Sequence, residues 1–258
     1  MSKLRQNRVK ILPLALTVIG GIALAIVAYT TYWFVAADEI GERFAAWSQE
    51  LRGRGMLVEA GEPEVSGYPL QFEVFLRQPS VDYIANGWAW RGEAITASFR
   101  PWRFDKFDLK FQGRNDVRYF DGVAWQDIQG EIEDGTARLQ LNDEQRIENL
   151  LIDVRQFDVV GPWAEGSTSV RRLRARAERF SENNGVENTE PLAFGLVGFQ
   201  LEDVRFPSGF SDEMGEVIEY LNFDLSLYGP FFLGDTTQGV RVWRDEGGVL
   251  ELNSLSFR

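Results

Sequence analysis

Residues 70–76 beat with a period of two: Leu70, Phe72, Val74 and Leu76 alternate with Gln71, Glu73, Phe75 and Arg77. Successive side chains of a strand point to opposite faces, so this pattern gives a strand one apolar face and one wetter face. The beat returns in Ile95, Ala97 and Phe99, in Phe107, Leu109 and Phe111, in Ala137, Leu139 and Leu141, and in Phe223, Leu225 and Leu227. One-sided strands suit antiparallel sheets, and about ten to twelve of them are expected. Helical patterns rarely separate them, which argues against parallel βαβ units. The dipeptides Asn86-Gly87, Asp121-Gly122, Asp134-Gly135, Asn184-Gly185 and Gly247-Gly248 read as turns. Residues 212–221 are an exception: Met214, Val217, Ile218 and Leu221 predict a short helix that Ser211 caps.

The strand at 70–76 is entered through VSGYP, residues 65–69. Gly67 permits a backbone geometry that other residues resist. Pro69 lacks an N–H and belongs at the first residue of a strand or at an edge. The stretch therefore ends one strand and aims the next.

Upstream, residues 11–37 carry no charge. The 19 residues ILPLALTVIGGIALAIVAY would cover roughly 28 Å as a helix, about the thickness of the hydrocarbon layer. The run is longer than the apolar core of a cleaved signal, so a retained anchor is expected. Lys3, Arg5, Arg8 and Lys10 precede it and Asp38 and Glu39 follow. Positive residues stay inside, which puts the N-terminus in the cytoplasm and the bulk of the chain outside. Tyr29, Tyr32, Trp33 and Phe34 read as an aromatic belt at the outer interface. Residues 38–52 then read as a helix with the stripe Ile40, Phe44, Trp47 and Leu51, ended by Gly53 and Gly55. The expected organisation is a basic tail at 1–10, an anchor at 11–37, a juxtamembrane amphipathic helix at 38–55 and a β domain over 56–258. The fold class is mostly β: a transmembrane helix and a large antiparallel domain, either a curved sheet or a sandwich, with one or two short helices. The closing alternation at 255–258 has no turn or cap, and the sequence is expected to stop inside a domain.

Charge and composition narrow the function. The four basic residues of the tail belong to a total of 27 against 39 acidic ones, so the rest of the chain is strongly acidic. A nucleic-acid partner needs the opposite sign. Cysteine and histidine are both absent. That removes thiol nucleophiles, the commonest metal ligand and the commonest general base, and with them zinc sites and Ser-His-Asp or Cys-His catalysis. A carboxylate pair of the glycosidase kind is the remaining enzymatic option and the least favoured one. No cofactor is expected.

Two clusters are candidate sites. Trp88, Trp90, Trp102 and Phe104 lie near two turns and are candidates to line the mouth of an apolar groove, or else to plug a sheet edge or core. Arg172, Arg174 and Arg176 share one face of a strand and form a basic stripe. Such a stripe suits lipid phosphates, or else pairs with acidic neighbours across the sheet.

Several stretches together carry a resemblance: Tyr32-Trp33 at the end of the anchor, VSGYP, Gly87-Trp88-Ala89-Trp90, and residues 243–250, WRDEGGVL. In these the chain resembles the bacterial envelope family catalogued as domain of unknown function 2125. The resemblance runs from about Tyr32 to the end and implies no catalytic residues. The plan of anchor and long β part is similar to that of AsmA-like envelope proteins, a group associated with lipid movement. The expected setting is the bacterial inner membrane, with the bulk of the chain in the periplasm. Reversible binding of lipid or another amphiphile is one reading, and scaffolding of an envelope protein is the other.

Overall fold

The computed structural model describes residues 8–143, 146–163, 165–179, 193–208, 216–229 and 242–258. One unbroken helix, α1 (Arg8–Gly53), carries both the apolar run and the amphipathic stretch after it. At 1.5 Å per residue it is about 70 Å long, more than twice a hydrocarbon layer. From Leu16 onward it is apolar and long enough to cross a membrane. It ends where Arg54 and Gly55 donate to the carbonyls of Leu51 and Arg52, and Gly55 takes a φ of 81°.

Twelve strands follow among the described residues. These are β1 (Leu57–Glu59), β2 (Glu64–Ser66), β3 (Phe72–Arg77), β4 (Ser80–Tyr83), β5 (Trp88–Arg100), β6 (Arg103–Phe120), β7 (Trp125–Leu141), β8 (Ile147–Val160), β9 (Thr168–Arg179), β10 (Ala193–Arg205), β11 (Val217–Tyr228) and β12 (Val249–Phe257). All belong to one antiparallel sheet. From β4 through β5 to β12 the strands pair in chain order, with β1 outside β4. The long edge of β5 is shared: β4 pairs with Trp88–Arg91 and β3 with Ala94–Phe99, and β2 adds to β3. The sandwich alternative is thereby corrected to an open sheet, with no second sheet over it among the described residues. Short helical pieces are a 3-10 turn at Ile84–Asn86 and one turn at 242–245.

Some expected turns hold and one does not. Gly87, Gly122 and Gly247 sit at positive φ in connections between elements. Asp134-Gly135 lies inside β7 instead, because Gly135 clears space for the Phe111 ring on β6. Asn184-Gly185 lies outside the described residues, as do Ser211 and residues 212–215. The predicted helix over 212–221 is wrong where it can be followed, since Val217 to Leu221 open strand β11.

The reason is a phase slip that crosses the sheet. On β7 the more buried positions are even up to Ile132 and odd from Gly135. On β8 they change between Val154 and Phe157, and on β9 between Val170 and Leu173. The slips are aligned: Gly135, Val154, Leu173, Leu201 and Leu221 pair across the sheet in one row, and Ile132, Phe157, Val170, Val204 and Ile218 in the next apolar row. Between the rows, Gln156 and Asp203 take φ values of 48° and 52°. On these two strands the left-handed residue falls where the alternation restarts, and residues of both apolar rows are among the more buried positions of their strands. Consistent with this, Arg155 and Gln156 are neighbours in sequence yet both exposed.

Candidate functional site

The helix and the sheet meet at a small aromatic core. Trp33 is 3 % exposed and Phe72 is completely buried, with Ala37 beside them. The Trp33 ring stacks on Phe72 with centroids 5.0 Å apart and meets Tyr68 edge-on at 5.5 Å. Trp33 Nε1 donates to the Gln71 carbonyl at 3.3 Å. Three more bonds tie helix to turns. Tyr29 donates to the Pro69 carbonyl, the Thr30 and Tyr68 hydroxyls lie 2.7 Å apart, and Tyr32 donates to the Pro101 carbonyl at 3.1 Å. VSGYP is therefore the docking point for the helix. Gly67 is needed there because its φ is 96° and a Cβ would lie 2.7 Å from the Gln71 oxygen. Trp33, read from sequence as part of an interface belt, is corrected to a core residue. The stripe Ile40, Phe44, Trp47 and Leu51 continues along α1, which packs against β1 and β2. Next to it lies a cleft of about 950 Å³, lined by apolar Ala37, Phe44, Val58 and Val65 and by acidic Glu42 and Glu62 among others.

From this core the apolar rows run out across the sheet. One row reads Val65, Val74, Ala97, Leu109, Ala137, Ile152, Ala175, Phe199, Phe223 and Leu255, from β2 to β12 without a polar residue. A second runs from Leu76 through Phe111, Gly135, Val154 and Leu201 to Phe257. A third runs from Phe107 through Leu139, Leu150, Val197 and Leu225 to Leu252. On the middle strands these side chains are half-buried by their neighbours within the sheet. At β12 they are more than half exposed: Leu252 55 %, Leu255 62 % and Phe257 61 %.

The opposite face is a lattice of ion pairs. Arg138 meets Asp108 at 3.0 Å and Arg118 meets Asp127 at 2.7 Å. The basic stripe belongs to this lattice. Arg172 grips Asp153 through two bonds of 2.9 and 2.5 Å, Arg174 lies 3.9 Å from Glu202, and Arg176 donates to Asp224 at 2.8 Å. Arg176 on β9 reaches Asp224 on β11 over Gly198, where a Cβ would come within 2.6 Å of its Nε. Each arginine of the stripe thus faces a carboxylate of this chain, the arrangement that satisfies charge without a bound phosphate.

The Arg172 guanidinium holds the Asp153 carboxyl below its usual range, and Arg176 does the same for Asp224. A carboxyl lowered in the folded state contributes its stability fully above its unfolded value near 4 and loses it as pH falls through the lower folded value. Asp224→Asn is therefore expected to lower the thermal midpoint at neutral pH. The two proteins should converge in acid, below the folded value of Asp224. A pH series of melting curves checks this.

The four aromatics proposed to line one groove are not brought together. Trp88 and Trp90 open β5, where Trp88 meets Tyr83 edge-on at 6.1 Å and Trp90 covers Gly92. Trp102 and Phe104 lie beyond its other end, about 30 Å away at 3.3 Å per residue. Phe104 there contacts Phe99, which in turn touches Phe72 and Phe107. Sequence proximity misleads along a strand, where each residue adds the largest rise a chain allows.

Residues 33–258 match the model of a bacterial family described as "uncharacterized protein conserved in bacteria (DUF2125)". The chain belongs to this family. No curated protein and no solved structure matches it. The likeness in plan to AsmA-like proteins has no support in these comparisons. The family match begins at Trp33, the residue that seats the helix on the sheet. Two of the stretches that carried the resemblance, Tyr32-Trp33 and VSGYP, prove to be partners in that junction. The others lie apart from it. Gly87 accepts a bond from Phe120 at 2.8 Å, and Trp243 lies over Gly248 and donates to the Tyr228 carbonyl.

Proposed function

We propose that the open apolar face holds the hydrocarbon part of a lipid or another amphiphile, on the periplasmic side of the bacterial inner membrane in which α1 is anchored. The observation that carries this reading is the uninterrupted apolar row from Val65 to Leu255. A sheet normally buries such a face against a second layer, and an exposed apolar surface of this extent marks a binding site. The anchor starts the rows beside the source of lipid. Binding is reversible and passes through no covalent step.

A second reading, a scaffold for another envelope protein, draws on β12. Among the described residues this strand pairs only with β11, and its free edge suits the addition of a strand from a partner. A photoreactive phenylalanine analogue at Ile152 and at Phe199, in the full chain within its membrane, separates the two. Irradiation is expected to attach phospholipid to both positions, seen as a mass increase of one lipid. Protein adducts at both positions, with no lipid adduct at either, would replace the first reading by the second.

A further inference from the structure

The turns beside the helix carry apolar side chains that the fold does not cover. Leu70 is 69 % exposed, Trp102 58 %, Phe104 49 % and Tyr68 44 %. Their height along α1 is set by the bonds from Tyr29, Thr30 and Tyr32 to Pro69, Tyr68 and Pro101. A hydrocarbon layer takes about 20 residues of helix. Counted from the first uncharged residue, Ile11, it ends near Thr30. The turns are therefore bonded to the helix at the level where it leaves the hydrocarbon. The exposed apolar surface of the helix, including Val27 at 62 % and Phe34 at 54 %, continues into theirs. Tyrosine and tryptophan are favoured at this depth, with the ring in the apolar layer and the polar atom in the wet one.

We propose that the β2–β3 and β5–β6 turns, with the start of β6, are a second membrane contact, in which Leu70, Trp102 and Phe104 enter the headgroup and upper acyl region of the phospholipid leaflet that α1 exits. The occupant is the bilayer surface itself. Helix and turns then hold the sheet at two points, so that it stands on the membrane with one end of β3, β5 and β6 immersed. This inference rests on α1 spanning the membrane and is independent of what the apolar face binds.

The chain has no cysteine, so single cysteines report position without further change. Spin labels are placed at Leu70→Cys, Trp102→Cys, Leu24→Cys within the helix, and Val123→Cys. Val123 is 90 % exposed in the β6–β7 turn, at the far end of β6. The full chain is studied in vesicles of phosphatidylethanolamine and phosphatidylglycerol, with oxygen and a water-soluble nickel chelate as collision partners. Labels at 70 and 102 are expected to favour oxygen, as at 24, while the label at 123 favours nickel. All the exposed sites tolerate a label, so folding is not at stake. Nickel-favoured values at 70 and 102 would overturn the proposal. So would shielding from both reagents, which would mean that protein covers the turns.

Discussion

Trp33→Ala is expected to destabilise the protein by about 3–5 kcal/mol, the range for removing a large aromatic from a core. The ring is 3 % exposed, stacks on a fully buried Phe72 and supplies a hydrogen bond to Gln71. Little can compensate, because among the described residues the buried cluster at this junction is small, comprising Trp33, Ala37 and Phe72. The loss should appear as a lower denaturation midpoint of the full chain in micelles, with faster proteolysis near residues 67–72. Val35→Ala serves as the comparison. That side chain is 61 % exposed, and in micelles its truncation should cost well under 1 kcal/mol, as surface changes do. If the two variants melt alike, the junction is not the core described here. The same reasoning predicts the fate of a soluble version beginning at Asp38. Without Trp33 and Ala37 it exposes Phe72, and it should be recovered aggregated or protease-sensitive, although it keeps β1 to β12.

Gly135→Ala should be the second large effect. A Cβ at this position would lie 2.4 Å from the Phe111 ring and 2.6 Å from the Phe111 carbonyl oxygen. The ring can rotate away, whereas the carbonyl belongs to the β6–β7 ladder and cannot. Overpacking of this kind costs about 1–3 kcal/mol. The change also lifts Phe111 out of the apolar row that crosses the sheet. Chemical denaturation of three proteins tests the account: Gly135→Ala, Phe111→Ala and the double variant. Removing the ring should recover part of the glycine penalty and leave the part due to the carbonyl. Additive costs would mean that Phe111 and Gly135 do not share their space.

Strand content was legible in the sequence because a half-exposed sheet writes its alternation openly, as at Leu70 to Leu76 and Phe107 to Phe111. The junction was not legible. A tryptophan at the end of an apolar helix reads as an interface residue, and only contact with Phe72 and Tyr68 shows it to be core. The spacing of Ile218 and Leu221 imitated a helix because a phase slip sets successive apolar strand residues three apart. Asp134-Gly135 imitated a turn because glycine was needed for a neighbour's ring rather than for its own backbone. Of the two candidate sites, the arginine stripe was correctly placed on one strand, and its carboxylate partners were readable only as a class. The aromatic quartet failed on distance alone.

The aligned slip has a consequence for engineering and for comparing members of the family. Each strand from β7 to β11 is written in two reading frames that change at one row. A residue deleted from a single strand at that row would put it out of step with its slipped neighbours, whereas matched changes in all five would keep β7 to β11 in step with one another. The row is thus a seam. Hybrids that exchange the sheet's near and far panels should be joined there, strand by strand, because it is where alternation restarts without reference to what came before.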